Sequence, residues 1–262
     1  MSAALNSIWA VATVVLRELV RRKDFYVLFI LTVLISLVMA SANFFNAPRI
    51  ARGLKEVCLL LIWISSLVIA IATAARQIPM EKESRTIFPL LAKPLTRAQF
   101  ILGKFLGCWI ACGLALLCFY VFFAVLSASR EGHWPVLNWF QAVALHWLAL
   151  GIITAFTLLG SLVFAAPSSN GTIIFVVSVG ILLFGRYLNK VALTLAEPMS
   201  SLVYGIYFAV PHLEWFDVRD LVIHNQPLIH WGVWLFAIGY ALAWTALGLV
   251  LACAKFRRAA LN

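Results

Sequence analysis

The sequence predicts an all-α integral membrane protein: an N-terminal interfacial helix, six transmembrane helices, and short outer helices before the last span. Three observations carry that prediction. Of 262 residues, 64% are hydrophobic and only 11% charged, with a mean hydropathy of +0.99. A soluble domain holds about 45–50% apolar and about 25% charged residues, so a globule of this size has nowhere to hide the excess. The apolar runs are continuous, not alternating, which selects helices over a barrel. The charges gather in short groups beside those runs, as at membrane flanks.

The first element is read from "LNSIWAVATVVLRELVRR", residues 5–22. Leu5, Ile8, Trp9, Ala12, Val15, Leu16, Leu19 and Val20 form one helical stripe, and Asn6, Thr13, Arg17 and Arg21 face away. Such a helix is suited to lying in the membrane surface. Apolar runs long enough to cross about 30 Å of hydrocarbon follow at 25–42, 57–75, 100–127, 139–165, 172–188 and 231–254. The fourth and fifth are separated by the turn Ala166–Gly171, and the fifth ends at Arg186. Residues 189–230 are apolar but interrupted by Glu197, Pro198, Gly205 and Pro211, the pattern of an outer re-entrant or interfacial segment.

Six spans put both termini on one side. That side carries 13 Lys and Arg residues, among them Arg17, Arg76, Lys82, Lys104 and Arg258, against 7 on the other. The bias places both termini in the cytoplasm of a multi-pass protein of the inner (cytoplasmic) membrane. Arg49, Arg52 and Lys55, in the expected first outer loop, run against it.

Several function classes lose their signatures. The net charge of +10 is dispersed along membrane flanks, which argues against nucleic acid. Cys58, Cys108, Cys112, Cys118 and Cys253 all lie in apolar runs without disulfide or zinc spacing. Polar and charged residues precede the first full apolar run, unlike a cleavable signal peptide. "ILGKFLG" has a Gly-Lys pair but neither the upstream Gly nor the trailing hydroxyl of a phosphate loop. No H-E-x-x-H or G-x-S-x-G occurs, so the chain reads as a non-enzyme without a cofactor or metal of its own. The middles of the spans hold no Asp, Glu, Lys or Arg, which an ion-coupled carrier needs. His146, the one histidine inside a span, reads as a hydrogen-bonded packing residue. His133, His212, His224 and His230 lie at or beyond the outer interface, beside Trp134, Trp215 and Trp231, as aromatic-belt residues do.

Charge concentrates in one connector, residues 76–99, between the second and third spans. Its composition predicts a short helix capped near Ser84 or Thr86 and stopped by Pro89 and Pro94. Ile87, Phe88, Leu90, Leu91 and Leu95 alternate with the charges and need a partner to cover them.

"EKESRTIFPLLAKPLTRAQFILGKFLG" resembles the first cytoplasmic loop of ABC-2 type (type-2 ABC exporter) permeases. The matching positions are Glu81, Glu83, Arg85, Thr86, Leu90, Leu91, Lys93, Pro94, Thr96, Arg97, Leu102, Gly103 and Lys104. Many members have Gly where Arg85 stands. Arg85 and the outer segment "AVPHLEWFDVRD", Ala209–Asp220, are similar to the subgroup of multi-copper enzyme maturation permeases. The resemblance spans the whole chain as one transmembrane domain, residues 1–262. It implies a permease subunit coupling ATP hydrolysis by separate ABC ATPase subunits, which bind the ATP-Mg, to substrate export. It also implies that Glu81, Glu83, Arg85, Thr86, Phe88, Leu91, Lys93, Pro94 and Arg97 meet the ATPase, and that a second permease copy or paralogue completes the complex among membrane lipids. The rival reading is a non-transporting subunit that passes ATPase motion to an extracytoplasmic partner such as a metalloenzyme-assembly factor. Lys104, at the root of the third span, reads equally as a snorkelling flank residue.

The orientation yields a labelling test. Single cysteines at residues 83 and 260 react only from the cytoplasmic side, and one at 216 only from outside. Labelling of residue 260 from outside would overturn the six-span topology.

Overall fold

The computed structural model describes residues 3–21, 23–41, 47–83 and 96–258. Every regular element among them is helical: α1 (Ala3–Arg21), α2 (Lys23–Ser41), α3 (Ala47–Glu83), α4 (Arg97–Glu131), α5 (Val136–Gly160), α6 (Pro167–Thr194), α7 (Met199–Ala209), a 3-10 turn (Leu213–Trp215), α8 (Arg219–Ile223) and α9 (Trp231–Arg258). Five of these, α3, α4, α5, α6 and α9, contain stretches long and apolar enough to cross a membrane. The apolar stretch described in α2, Tyr26–Val38, is shorter.

Helix lengths differ from the apolar runs in an instructive way. At 1.5 Å per residue, the 37 residues of α3 and 35 of α4 reach about 50–55 Å, well beyond the hydrocarbon. The Arg49–Lys55 group therefore lies in helix, not in an outer loop. At the other end, Gln77, Met80, Glu81, Lys82 and Glu83 are good helix formers that carry α3 past its internal Pro79. Both described ends run into the expected connector of 76–99: α3 continues to Glu83, and Thr96 opens α4 with a reciprocal cap. The Gln99 amide donates to Thr96 Oγ1 at 3.2 Å, and the Thr96 amide donates to Gln99 Oε1 at 2.9 Å. At the far end of α4, Gly132 at φ 68° donates to the Ala128 carbonyl and ends the helix. The caps and stops expected at Ser84, Thr86, Pro89 and Pro94 lie outside the described residues.

Two further boundaries move. The turn between α5 and α6 spans 161–166, not Ala166–Gly171. Pro167 opens α6, where its fixed φ and missing N–H suit the first position, and Asn170 Nδ2 donates to the Thr157 carbonyl at 3.0 Å. Helix α6 then passes Arg186 and continues to Thr194, since no breaker intervenes before Pro198. Residues 195–230 contain the short helices α7 and α8 and the 3-10 turn. Phe216 is fully buried there, so the outer labelling site moves to its half-exposed neighbour Trp215.

The bundle is held by close backbone approaches. On α4, Gly103 and Gly107 are one turn apart and face α1. A Cβ on Gly103 would sit 2.7 Å from Val11 Cβ, and one on Gly107 the same distance from Val15 Cβ. The α1 stripe is thereby split: Ala12 and Val15 are buried, together with Val11 outside the stripe, while Leu5 and Trp9 stay exposed. Between α4 and α5, Trp109 and Trp147 stack at 4.4 Å. Each indole N–H donates to the other's carbonyl at 2.9 Å. Each ring lies over a glycine of the opposite helix, Gly151 under Trp109 and Gly113 under Trp147. Small residues let helices touch where lipid supplies no hydrophobic drive.

Gly107→Leu should push α1 off α4 and cost about 1–3 kcal/mol, read as a lowered unfolding midpoint of the chain in nanodiscs. Gly180→Leu, which meets nothing within 4 Å, should leave the midpoint unchanged. Equal midpoints for both variants would refute the α1–α4 seam.

Candidate functional site

At the end of the bundle where Glu83 and Thr96 lie, four helix ends meet. Gln77 and Glu81 are four residues apart on α3 and share a face. Lys104 of α4 inserts between them with only 3% of its surface exposed. Its ammonium pairs with Glu81, donates to Gln77 Oε1 at 2.9 Å, and lies 5.8 Å from the centre of the Phe100 ring. The Gln77 amide in turn reaches Glu18 of α1, Nε2 to Oε2 at 3.4 Å. Lys104 is therefore not a snorkelling flank, since a snorkelling ammonium ends in water.

Arg97, the first residue of α4, turns toward α9. Its Nη1 donates to the carbonyls of Phe256 and Arg257 at 2.9 and 2.8 Å, and its guanidinium lies over the Phe256 ring. The last carbonyls of a helix lack intrahelical donors and sit at the negative end of its dipole, so a cation is well placed there. Phe256 is buried and stacks on Phe100. Of the residues implicated by sequence, Glu81 and Arg97 thus have intramolecular partners, and Glu83 is exposed at the end of α3. Arg85, Thr86, Phe88, Leu91, Lys93 and Pro94 lie outside the described residues.

The opposite end holds a cluster of which only Lys55 entered the sequence reading, as a basic residue of the expected first outer loop. Lys55 of α3 is 2% exposed. It pairs with Glu131, the last residue of α4, at 2.6 Å and donates to Asn225 Oδ1 at 2.8 Å. Asn225 has a left-handed φ of 48°, which asparagine tolerates better than most residues. Gln141 of α5 exchanges two bonds of 3.0 Å with the backbone of Ile229, and Asn138 donates to the Gln226 carbonyl at 2.8 Å. These side chains stitch residues 222–229 to α3, α4 and α5.

A second stitch runs inward. Arg219 and Asp217 form two bonds of 2.8 Å, and this carboxylate raises the Arg219 pKa above the ordinary arginine value. The guanidinium lies over Trp63, and Trp63 stacks on His146 at 3.9 Å. His146 is fully buried, with Nε2 2.9 Å from Ser66 Oγ and Nδ1 3.4 Å from the Tyr120 hydroxyl. It is a bonded packing residue, as its sequence context suggests. The outer histidines are dispersed: His133 near Glu131, His212 3.2 Å from Glu214, His224 against the Asp220 carbonyl, and His230 accepting from the Gly232 amide. Among the described residues, no three His, Cys, Asp or Glu side chains converge on a metal-sized site.

One groove of about 660 Å³ lies between α3 and α6, lined by Val68, Ile71, Ala72 and Phe175, with Arg76 and Ser168 also on its wall. Nothing in the sequence marked it, because it depends on how α3 and α6 are placed against each other.

Residues 9–261 match the family model described as ABC-2 family transporter protein. No curated protein matches the chain.

Removing one partner of a buried ion pair strands the other. Lys55→Met should therefore destabilise the chain by about 1–3 kcal/mol, and Lys55→Met with Glu131→Met should recover most of that loss. A double variant as unstable as the sum of the single changes would show that the two side chains act independently.

Proposed function

The chain belongs to the ABC-2 family of transporter proteins, and from that premise we propose that it is the transmembrane permease subunit of an ATP-driven exporter. A separate ATPase subunit hydrolyses ATP, and residues 84–95 receive its motion. The observation that carries this reading is the bracing at both roots of that loop. Glu81 on the incoming helix pairs with buried Lys104 on the outgoing one, and Arg97 fastens the outgoing helix to α9. A connector serving topology alone needs no such support.

On this reading Glu83, Arg85, Thr86, Phe88, Leu91, Lys93 and Pro94 form the docking surface, with Glu81 and Arg97 at its margins. Charged side chains supply charge-assisted bonds, and Phe88 and Leu91 supply apolar anchors. One loop per chain serves one ATPase, so a pair of ATPases needs two copies or a copy and a paralogue. The Lys/Arg bias puts loop and termini in the cytoplasm. The α3–α6 groove is the proposed cargo-facing surface. A second reading is favoured by the outer segment, which resembles that of the multi-copper enzyme maturation permeases and is tied to α3–α5 by side chains. There the complex moves no cargo and passes ATPase motion to an outer partner. Cargo-stimulated ATP hydrolysis in the reconstituted complex separates the two.

Glu83→Lys and Phe88→Ala should each weaken co-purification of the ATPase while membrane insertion stays intact. Loss of one charge-assisted contact costs about 1.5–3 kcal/mol, roughly ten- to hundredfold in affinity. Undiminished recovery with both variants would reduce the loop to a topological anchor.

A further inference from the structure

Lys104 lies outside the docking surface, yet among the described residues it is the most deeply buried charge at that end of the bundle. We propose that Lys104 is a positioning residue: it ties both roots of the 84–95 loop and the end of α1 into one body, so that a push on the loop moves α1, α3 and α4 together. The inference rests on the coupling function proposed above and assigns the residue that makes coupling mechanical.

Three observations support it. The ammonium is desolvated, so it holds its place only by satisfying donors against Glu81 and Gln77. Glu81 stands three positions from the loop's entry and Lys104 eight positions inside α4, so their pairing bridges the two helices across the loop. Gln77 accepts from Lys104 and donates to Glu18, so the chain of bonds continues onto α1. That is the helix seated against Gly103 and Gly107, the glycines that flank Lys104 on α4. Arg97 makes the complementary link from α4 to the last turn of α9, 159 residues away along the chain. Without Lys104, apolar packing alone holds the roots of α3 and α4 together, and loop movement is absorbed there.

The test uses the full chain in nanodiscs, alone and with the ATPase that co-purifies with it, followed by amide hydrogen exchange. Wild type, Lys104→Met, Lys104→Arg and Gln77→Leu are compared. In the chain alone, Lys104→Met should raise exchange at residues 77–83 and 97–104 about tenfold, and Lys104→Arg, which keeps the charge and donors, should restore much of the protection. Gln77→Leu, which removes the bridge to α1 and one acceptor of Lys104 but leaves the Glu81 pair, should raise exchange at residues 12–18.

In the complex, a non-hydrolysable ATP analogue should change exchange in the outer segment, 211–230, for wild type and Lys104→Arg. That change should be lost in Lys104→Met, although the variant still captures the ATPase within about threefold of wild type. Unaltered exchange at 77–83 and 97–104 in Lys104→Met alone would overturn the clasp and leave the coupling function untouched. A normal outer-segment response in Lys104→Met would overturn its role in transmission. If the wild-type outer segment ignores nucleotide while the clasp results hold, the coupling function fails, and the transmission role of Lys104 falls with it.

Discussion

A lysine that leaves water must take a counter-charge and hydrogen-bond acceptors with it, and the ends of this bundle are organised around two that do so. Lys55 and Lys104 are both almost wholly buried, and each joins α3 to α4, one near each end of that pair. The cost of an unpaired buried charge is several kcal/mol, enough to exclude alternative rotations of α3 against α4. Each lysine also reaches past its partner: Lys55 to Asn225 in the outer segment, Lys104 through Gln77 to Glu18 of α1. The two ion pairs therefore set which peripheral elements ride on the central helices.

Between those ends, packing does the work. Lipid is as apolar as the side chains it faces, so burial alone gives helices little reason to associate. The chain answers with backbone contact. Gly103 and Gly107 bring α4 against α1, and the Trp109–Trp147 pair locks α4 to α5 with two hydrogen bonds and a glycine under each ring. By contrast α6 and α9 are mostly unburied along their apolar lengths, and α3 and α6 leave a groove between them. The result is a dense centre of α3, α4 and α5, with α1 fixed to it and α6 in looser contact. The exposed faces of α6 and α9 are available to lipid, cargo or a second copy.

This division suits a subunit that carries force. Helices α3 and α4 are continuous over 37 and 35 residues, braced at one end beside the proposed docking loop and at the other beneath the outer segment. The ladder Asp217–Arg219–Trp63–His146 ties the outer segment to the middle of the bundle, and His146 is bonded to Ser66 and near Tyr120 there. Movement at one end of such a frame has few places to dissipate.

What the sequence by itself determined is local: the helical membrane class, the position of most helices, the concentration of charge near Glu81–Lys104, and the packing role of His146. Those features follow from composition and from runs a few turns long. Helix ends were less legible, since Pro79 was outvoted by its neighbours and Pro167 opened a helix where a turn was expected. Glu83, implicated by the resemblance as an ATPase contact, stands exposed at the end of α3. Lys104, Lys55 and Arg97 were legible only as flank charges or surface contacts, because nothing near them in the chain names their partners. Lys55 meets a residue 170 positions away and Arg97 one 159 positions away. Only the tertiary structure decided those pairings: they depend on how far each helix is turned about its axis, and that rotation is set by packing between helices far apart in the chain.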